Sequence, residues 1–127
     1  MTIRTEPHLV HVVRTESLNV VHYPAFDRTI TDVTEVQELY TAALALPPMA
    51  PGSRDSCPND NGLVYRFEFQ NVTVGSQMKL DATGCQFITT SSGSTSVVIR
   101  KTNSAFLNLV AQDLGFVNLS DQNPIIP

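Results

Sequence analysis

Residues 62–70, GLVYRFEFQ, alternate Leu63, Tyr65, Phe67 and Phe69 against Val64, Arg66, Glu68 and Gln70. Alternation at period two describes a strand with one buried and one solvated face. A strand that presents a leucine and three aromatic rings on one side needs further strands beside it and a second layer over that side.

The sequence after it supplies the neighbours. A turn around Asn71 to Ser76 leads to QMKLDA (77–82), in which Met78, Leu80 and Ala82 alternate with Gln77, Lys79 and Asp81. CQFITT (85–90) follows Thr83-Gly84, and a polar Ser/Thr/Gly turn at 91–96 leads into SVVIRK (96–101). This order predicts an antiparallel meander over residues 62–101.

Two helical patterns supply the second layer. Asp32 followed by Glu35 is a capping-box arrangement, which satisfies amides orphaned at a helix start. Val33, Val36, Leu39, Tyr40, Ala43, Leu44 and Leu46 then share one stripe, and Pro47-Pro48 ends the helix, predicted over 33–46. The second helix spans 104–114, with Asn103 or Ser104 as N-cap, Phe106, Leu107, Leu109, Val110 and Leu114 on its apolar side, and Gly115 after its last turn. From Phe116 to Pro127 the chain is expected to run extended over the surface.

The N-terminal region, 8–23, reads as HLVHVVR (8–14) with a returning strand over Leu18 to Tyr23 about a turn at Glu16-Ser17. In the first strand Leu9, His11 and Val13 share one face, and Val10, Val12 and Arg14 the other. That hairpin would set His11 directly opposite His22. The expected fold class is therefore α+β: a single domain of 127 residues, with an antiparallel β-sheet meander and two helices packed on one face.

Residues 47–61 are rich in Pro, Gly, Ser, Asp and Asn and have no periodic pattern. Structureless stretches of this length are uncommon in compact domains unless they are functional or mobile. Pro47, Pro48, Met49, Pro51, Arg54 and Asp55 form the candidate interaction loop. Its bland alternative is a solvated connector. Cys57 and Cys85, in the turn-like contexts Ser56-Cys57-Pro58 and Thr83-Gly84-Cys85, flank the 62–82 hairpin and are expected to pair as a disulfide.

Eight Lys and Arg against twelve Asp and Glu give a net charge of −4, with basic residues scattered singly apart from Arg100-Lys101. No stripe tracks a phosphate backbone, so nucleic acid is a poor partner. The apolar run Ala42 to Leu46 is far shorter than the roughly 20 residues a bilayer span needs. Residues 1–10 contain Arg4, Glu6 and His8 and no apolar stretch, so no signal peptide is recognised. Two readings follow: a cytoplasmic protein with reduced thiols, or the mature part of an extracytoplasmic protein whose leader is not included. The turn contexts of the cysteines, the lack of a Cys-x-x-Cys motif and the Ser, Thr and Asn content favour the second.

Catalytic signals are weak. His8, His11 and His22 are the only histidines; a functional zinc site usually takes three or four protein ligands, and spacing places no third ligand near His11 and His22. Asp27, Asp32 and Glu35 resemble an acid and base group, but helix capping already accounts for the latter two. No nucleophile elbow, phosphate loop or His-Glu-x-x-His helix occurs, and Asn59-Asp60-Asn61-Gly62 lacks the downstream glutamate of a calcium loop. Asn71-Val72-Thr73 and Asn118-Leu119-Ser120 match the glycosylation pattern by three residues only. Tyr40, Tyr65, Phe67, Phe69, Phe87 and Phe106 occupy positions expected to be core.

The segments LALPPMAPGSRDSCPNDNGLVYRFEF (44–69) and DATGCQF (81–87), with a helix carrying Phe106, Leu109 and Leu114-Gly115, resemble uncharacterised secreted or lipoprotein-type proteins of high-GC Gram-positive and related soil bacteria. The resemblance covers roughly residues 30–115. It implies an extracytoplasmic domain with paired cysteines and no particular activity, and this chain departs from it where such proteins carry a leader. The functional expectation is a non-catalytic cell-envelope domain without a cofactor, interacting with a protein or envelope partner. The alternatives are an inhibitor presenting the 47–61 loop, and a small hydrolase or metal-dependent enzyme using His11, His22 and Asp27.

Overall fold

The computed structural model describes residues 7–14, 23–49, 63–83, 86–92 and 96–121. The alternating aromatic segment becomes strand β3 (Val64–Phe69) of a six-stranded, wholly antiparallel sheet. The other strands are β1 (Val10–Arg14), β2 (Phe26–Ile30), β4 (Gln77–Asp81), β5 (Phe87–Ser92) and β6 (Ser96–Lys101), in the order β2-β1-β3-β4-β5-β6. Helix α1 (Val33–Ala45) links β2 to the centre of the sheet, and α2 (Ser104–Leu114) follows β6. The fold is α+β, and β3 to β6 form the expected meander.

The N-terminal hairpin differs from the expectation. The antiparallel partner of β1 is β2, with Val10 opposite Ile30 and Arg14 opposite Phe26. No element is expected over Phe26-Asp27-Arg28-Thr29-Ile30, where two adjacent charges stand between the apolar ends. On the other side β1 pairs with β3, Val12 opposite Phe67. His11 thus faces Thr29 on one side and Glu68 on the other, so His22 is not its cross-strand neighbour. His22 itself, like the expected turn at Glu16-Ser17, lies outside the described residues.

One face of the sheet is mostly apolar, with Arg14, Arg28 and Arg100 among its apolar side chains. Val10 and Val12, then Tyr65, Phe67 and Phe69, then Met78, Leu80 and Ile88 are all buried. Leu39 and Ala43 of α1 and Phe106 of α2 meet Phe67, Phe69, Met78 and Ile88 around a single apolar void. Tyr40 packs edge-on against Phe69, with ring centroids 5.3 Å apart. Of the six aromatics assigned to the core, Tyr40 and Phe87 are half-buried and the rest are buried. Val33, placed in the buried stripe of the first helix, is instead 43% exposed.

Both helix starts follow their local sequence. The Asp32 carboxylate accepts the Glu35 amide at 3.0 Å, and the Asn103 side chain accepts the Phe106 amide at 2.8 Å, which selects Asn103 over Ser104 as cap. Gly115, at φ 82°, closes α2 in the left-handed region that a Cβ disfavours. Neither helix has a basic residue in its last turn. Arginines from the strands at the two sheet edges take that place. Arg28 of β2 donates to the Leu114 carbonyl of α2, and Arg100 of β6 donates to the Leu44 and Leu46 carbonyls at 3.1 and 2.8 Å. A cation at a helix C-terminus opposes the negative end of the macrodipole.

Residues 116–121 do not run extended over the surface; the rest of the expected extended tail, 122–127, lies outside the described residues. Phe116 and Leu119 are buried, with Phe116 set 5.0 Å from the Phe26 ring and 6.1 Å from the Tyr65 ring. Arg14 holds this return in place. Its side chain is 1% exposed, lies among the rings of Tyr23, Phe26, Tyr65 and Phe116, and donates to the carbonyls of Pro24 and Asp121 and to the Tyr65 hydroxyl.

Candidate functional site

The side chains that alternate with the core positions form the opposite face of the sheet. Cross-strand pairing orders most of them into two rows, beside a further row in which Val64 stands opposite Asp81 and Phe87 opposite Lys101. The first runs Asp27, Val13, Arg66, Lys79, Thr89, Ile99; the second runs Thr29, His11, Glu68, Gln77, Ser91, Val97. Residues of β1, β3, β4 and β5 from both rows line a groove of about 470 Å³. Charged and polar groups occupy its β1–β4 part. At the β6 end Val97 and Ile99 are 65% and 47% exposed.

The two carboxylates in these rows already have partners. His11 Nε2 lies 2.7 Å from Asp27 Oδ1, and Gln70 donates to Glu68 at 3.2 Å. Arg66 and Lys79 stand directly opposite each other, both exposed, and neither has a hydrogen-bond or ion-pair partner among the described residues. Arg66, Glu68, Gln77 and Lys79 were legible as the solvated positions of two strands. Their juxtaposition was not, because it depends on the register of β3 against β4.

The candidate loop is described only at its beginning. Pro47, Pro48 and Met49 lie along β6: Lys101 donates its amide to the Pro47 carbonyl at 3.0 Å, Met49 donates to Ile99 at 2.8 Å, and Pro48 sits opposite Arg100. Proline is tolerated there because the two backbone bonds flank it, so its missing N–H leaves no gap in the ladder. Pro51, Arg54 and Asp55 lie outside the described residues, as do Cys57 and Cys85 with their expected disulfide.

The catalytic expectations find little geometry. His8 is exposed, and His11 and Asp27 form a surface pair with side chains 39% and 67% exposed. Ser91 lies three strands from His11, about 14 Å at normal strand spacing, too far for a nucleophile and its base. Asp32 and Glu35 serve the start of α1. Among the described residues no group of three or more His, Cys, Asp or Glu side chains is arranged to hold a metal ion.

Sequence reasoning did not single out Asp113 on α2. Burial, and then the nearby Glu35, Glu38 and Asp32, push its carboxyl up to about 6, and its Oδ2 is buried with no hydrogen-bond partner among the described residues. The signal was present, since Phe106, Val110, Asp113 and Leu114 share one helical face.

No protein-family model, no curated protein and no solved structure matches this chain. No helix among the described residues is long and apolar enough to cross a membrane.

Proposed function

We propose that this protein is a non-catalytic binding domain that works outside the cytoplasm, at the cell envelope, and meets a protein partner through the polar face of its sheet. On this reading α1 and α2 both cover the apolar face along their lengths and leave the polar face free. The observation that carries it is the groove across β1, β3, β4 and β5, where Arg66 and Lys79 stand together without partners inside the described fold. A rigid sheet supports such a surface at low ordering cost, because its backbone is already held by pairing on both sides.

The extracytoplasmic part rests on the Cys57 and Cys85 contexts and on the likeness to secreted and lipoprotein-type proteins. A Cys57–Cys85 disulfide would add roughly 3 kcal/mol in an oxidising compartment. Thiol alkylation without reductant, followed by intact-mass measurement, tests it: two alkylated cysteines in air-refolded protein would remove this support.

The binding surface is tested by comparing the wild-type chain with Gln77→Trp, which fills the groove, and with the triple loop variant Met49→Ala, Arg54→Ala, Asp55→Ala. A partner recovered from envelope extract is purified and its affinity measured directly. Loss with Gln77→Trp and retention with the loop variant supports the face. The reverse pattern transfers the function to the loop, as an inhibitor would require. Hydrolysis in a broad substrate screen that disappears with His11→Ala would overturn the non-catalytic reading.

A further inference from the structure

We propose that Arg66 and Lys79 are the anion-binding point of the polar face, and that they receive the carboxylate of an acidic partner segment whose apolar side chain, three residues on, lies over Ile99 and Val97. This inference rests on the polar face being the partner surface.

Like charges placed directly opposite on neighbouring strands repel and weaken the pairing. Arg66 and Lys79 occupy such a position. The carboxylates of the face, Asp27, Glu68 and Asp81, form no ion pair with either: Asp27 lies against His11, Glu68 accepts from the neutral Gln70 amide, and Asp81 stands opposite Val64. A guanidinium fork beside a mobile ammonium suits a carboxylate, which accepts from both at once.

The same row continues from Lys79 through Thr89 to Ile99. Two strand spacings separate Lys79 from Ile99, about 9.6 Å. A polyproline II segment advances about 9.3 Å in three residues and returns a side chain to the same side. An acidic residue and an apolar residue at that interval therefore reach the cationic pair and the exposed Val97–Ile99 patch together. Strand addition at β6 is already taken by Pro47–Met49, which leaves the face rather than that edge for the contact.

The test titrates the isotope-labelled full chain with the peptide acetyl-Asp-Pro-Pro-Leu-amide and follows backbone amide shifts. Saturable shifts at Arg66, Lys79 and Ile99 are expected, with about tenfold weaker binding for the Asn-Pro-Pro-Leu peptide and for Arg66→Gln or Lys79→Gln. Each variant should melt near the wild-type temperature, because both side chains are exposed and the repulsion removed is set against the nearby Glu68 and Asp81 carboxylates. Shifts that do not saturate at millimolar peptide, or equal binding of the Asn peptide, overturn the proposal. A native partner that is lost with Gln77→Trp but binds the Arg66→Gln, Lys79→Gln double variant at full affinity overturns it while leaving the face as the binding surface. A native partner indifferent to Gln77→Trp removes the underlying reading as well.

Discussion

Arg14 Nη1 lies 3.0 Å from the hydroxyl of Tyr65, inside a ring of aromatic side chains that excludes solvent from both. The Tyr65 hydroxyl in turn donates to the Leu119 carbonyl at 2.6 Å. These two residues connect β1 and β3 to the chain that follows α2. A buried guanidinium is costly unless its donors are met, and here carbonyls and a hydroxyl meet them.

Replacing Arg14 with Met should therefore destabilise the protein by about 3 kcal/mol, since it takes the guanidinium donors from the Pro24 and Asp121 carbonyls and from the Tyr65 hydroxyl oxygen, which keeps only its own bond to Leu119. Tyr65→Phe should cost less, about 1–2 kcal/mol. Urea unfolding measures both, and a change below about 0.5 kcal/mol for Arg14→Met would contradict the role given to this contact.

Burial, opposed by Arg14, pushes the Tyr65 hydroxyl up to about 12 from its ordinary 10.0. The folded state holds this proton more tightly than the unfolded chain does, so stability contributed by the protonated form is lost as pH rises from about 10 through about 12. Ultraviolet absorbance should show a tyrosine that ionises late, and Tyr65→Phe should remove that late phase.

The two edge arginines act on different helices. Arg28→Met should expose the end of α2 and Arg100→Met the end of α1, each costing about 1–2 kcal/mol through lost hydrogen bonds and the uncompensated helix terminus. Because the two strands lie at opposite sheet edges, the double variant should show the sum of the single effects in thermal unfolding. Faster amide exchange confined to the last turn of the corresponding helix would locate each effect.

Asp113, with its carboxyl raised to about 6 from 3.8, behaves oppositely to a carboxylate held by a cation. Folding favours its protonated form, so its contribution to stability grows as pH falls from above 6 towards 4, and its ionised form is a cost at neutral pH. Asp113→Asn should raise stability at pH 7 by about 1 kcal/mol, discounted for partial exposure, and should flatten this part of the pH profile. Melting curves across that range decide it. A destabilised Asn variant at neutral pH would mean the carboxylate is satisfied by a partner.

Gly75, in the turn from β3 to β4, has φ +68°, and a Cβ there would meet Leu44 Cδ2 at 3.1 Å and Met78 Cε at 3.3 Å. Gly75→Ala should cost about 1–2 kcal/mol from backbone strain alone, with the side chains of Leu44 and Met78 shifting to admit the methyl group. Chemical denaturation of that variant provides the measurement.

The elements that could be read from the sequence are those whose cause is local. The aromatic alternation of 63–69 decides β3, Asp32 and Asn103 decide where the helices begin, and Pro47 and Gly115 decide where they end, because periodicity and capping involve residues a few positions apart. Tertiary structure alone decided what lies far apart. Arg14, Arg28 and Arg100 look like surface charges in the sequence, yet they reach carbonyls 107, 86 and 56 residues away. Strand β2, with Arg28 alternating between Phe26 and Ile30, becomes intelligible only once the end of α2 is there to receive the guanidinium. The same holds for the polar face. Its residue types are written in the alternation, but the register of β3 against β4 is what sets Arg66 against Lys79 and aligns them with Ile99, and register follows from the whole sheet closing over one core.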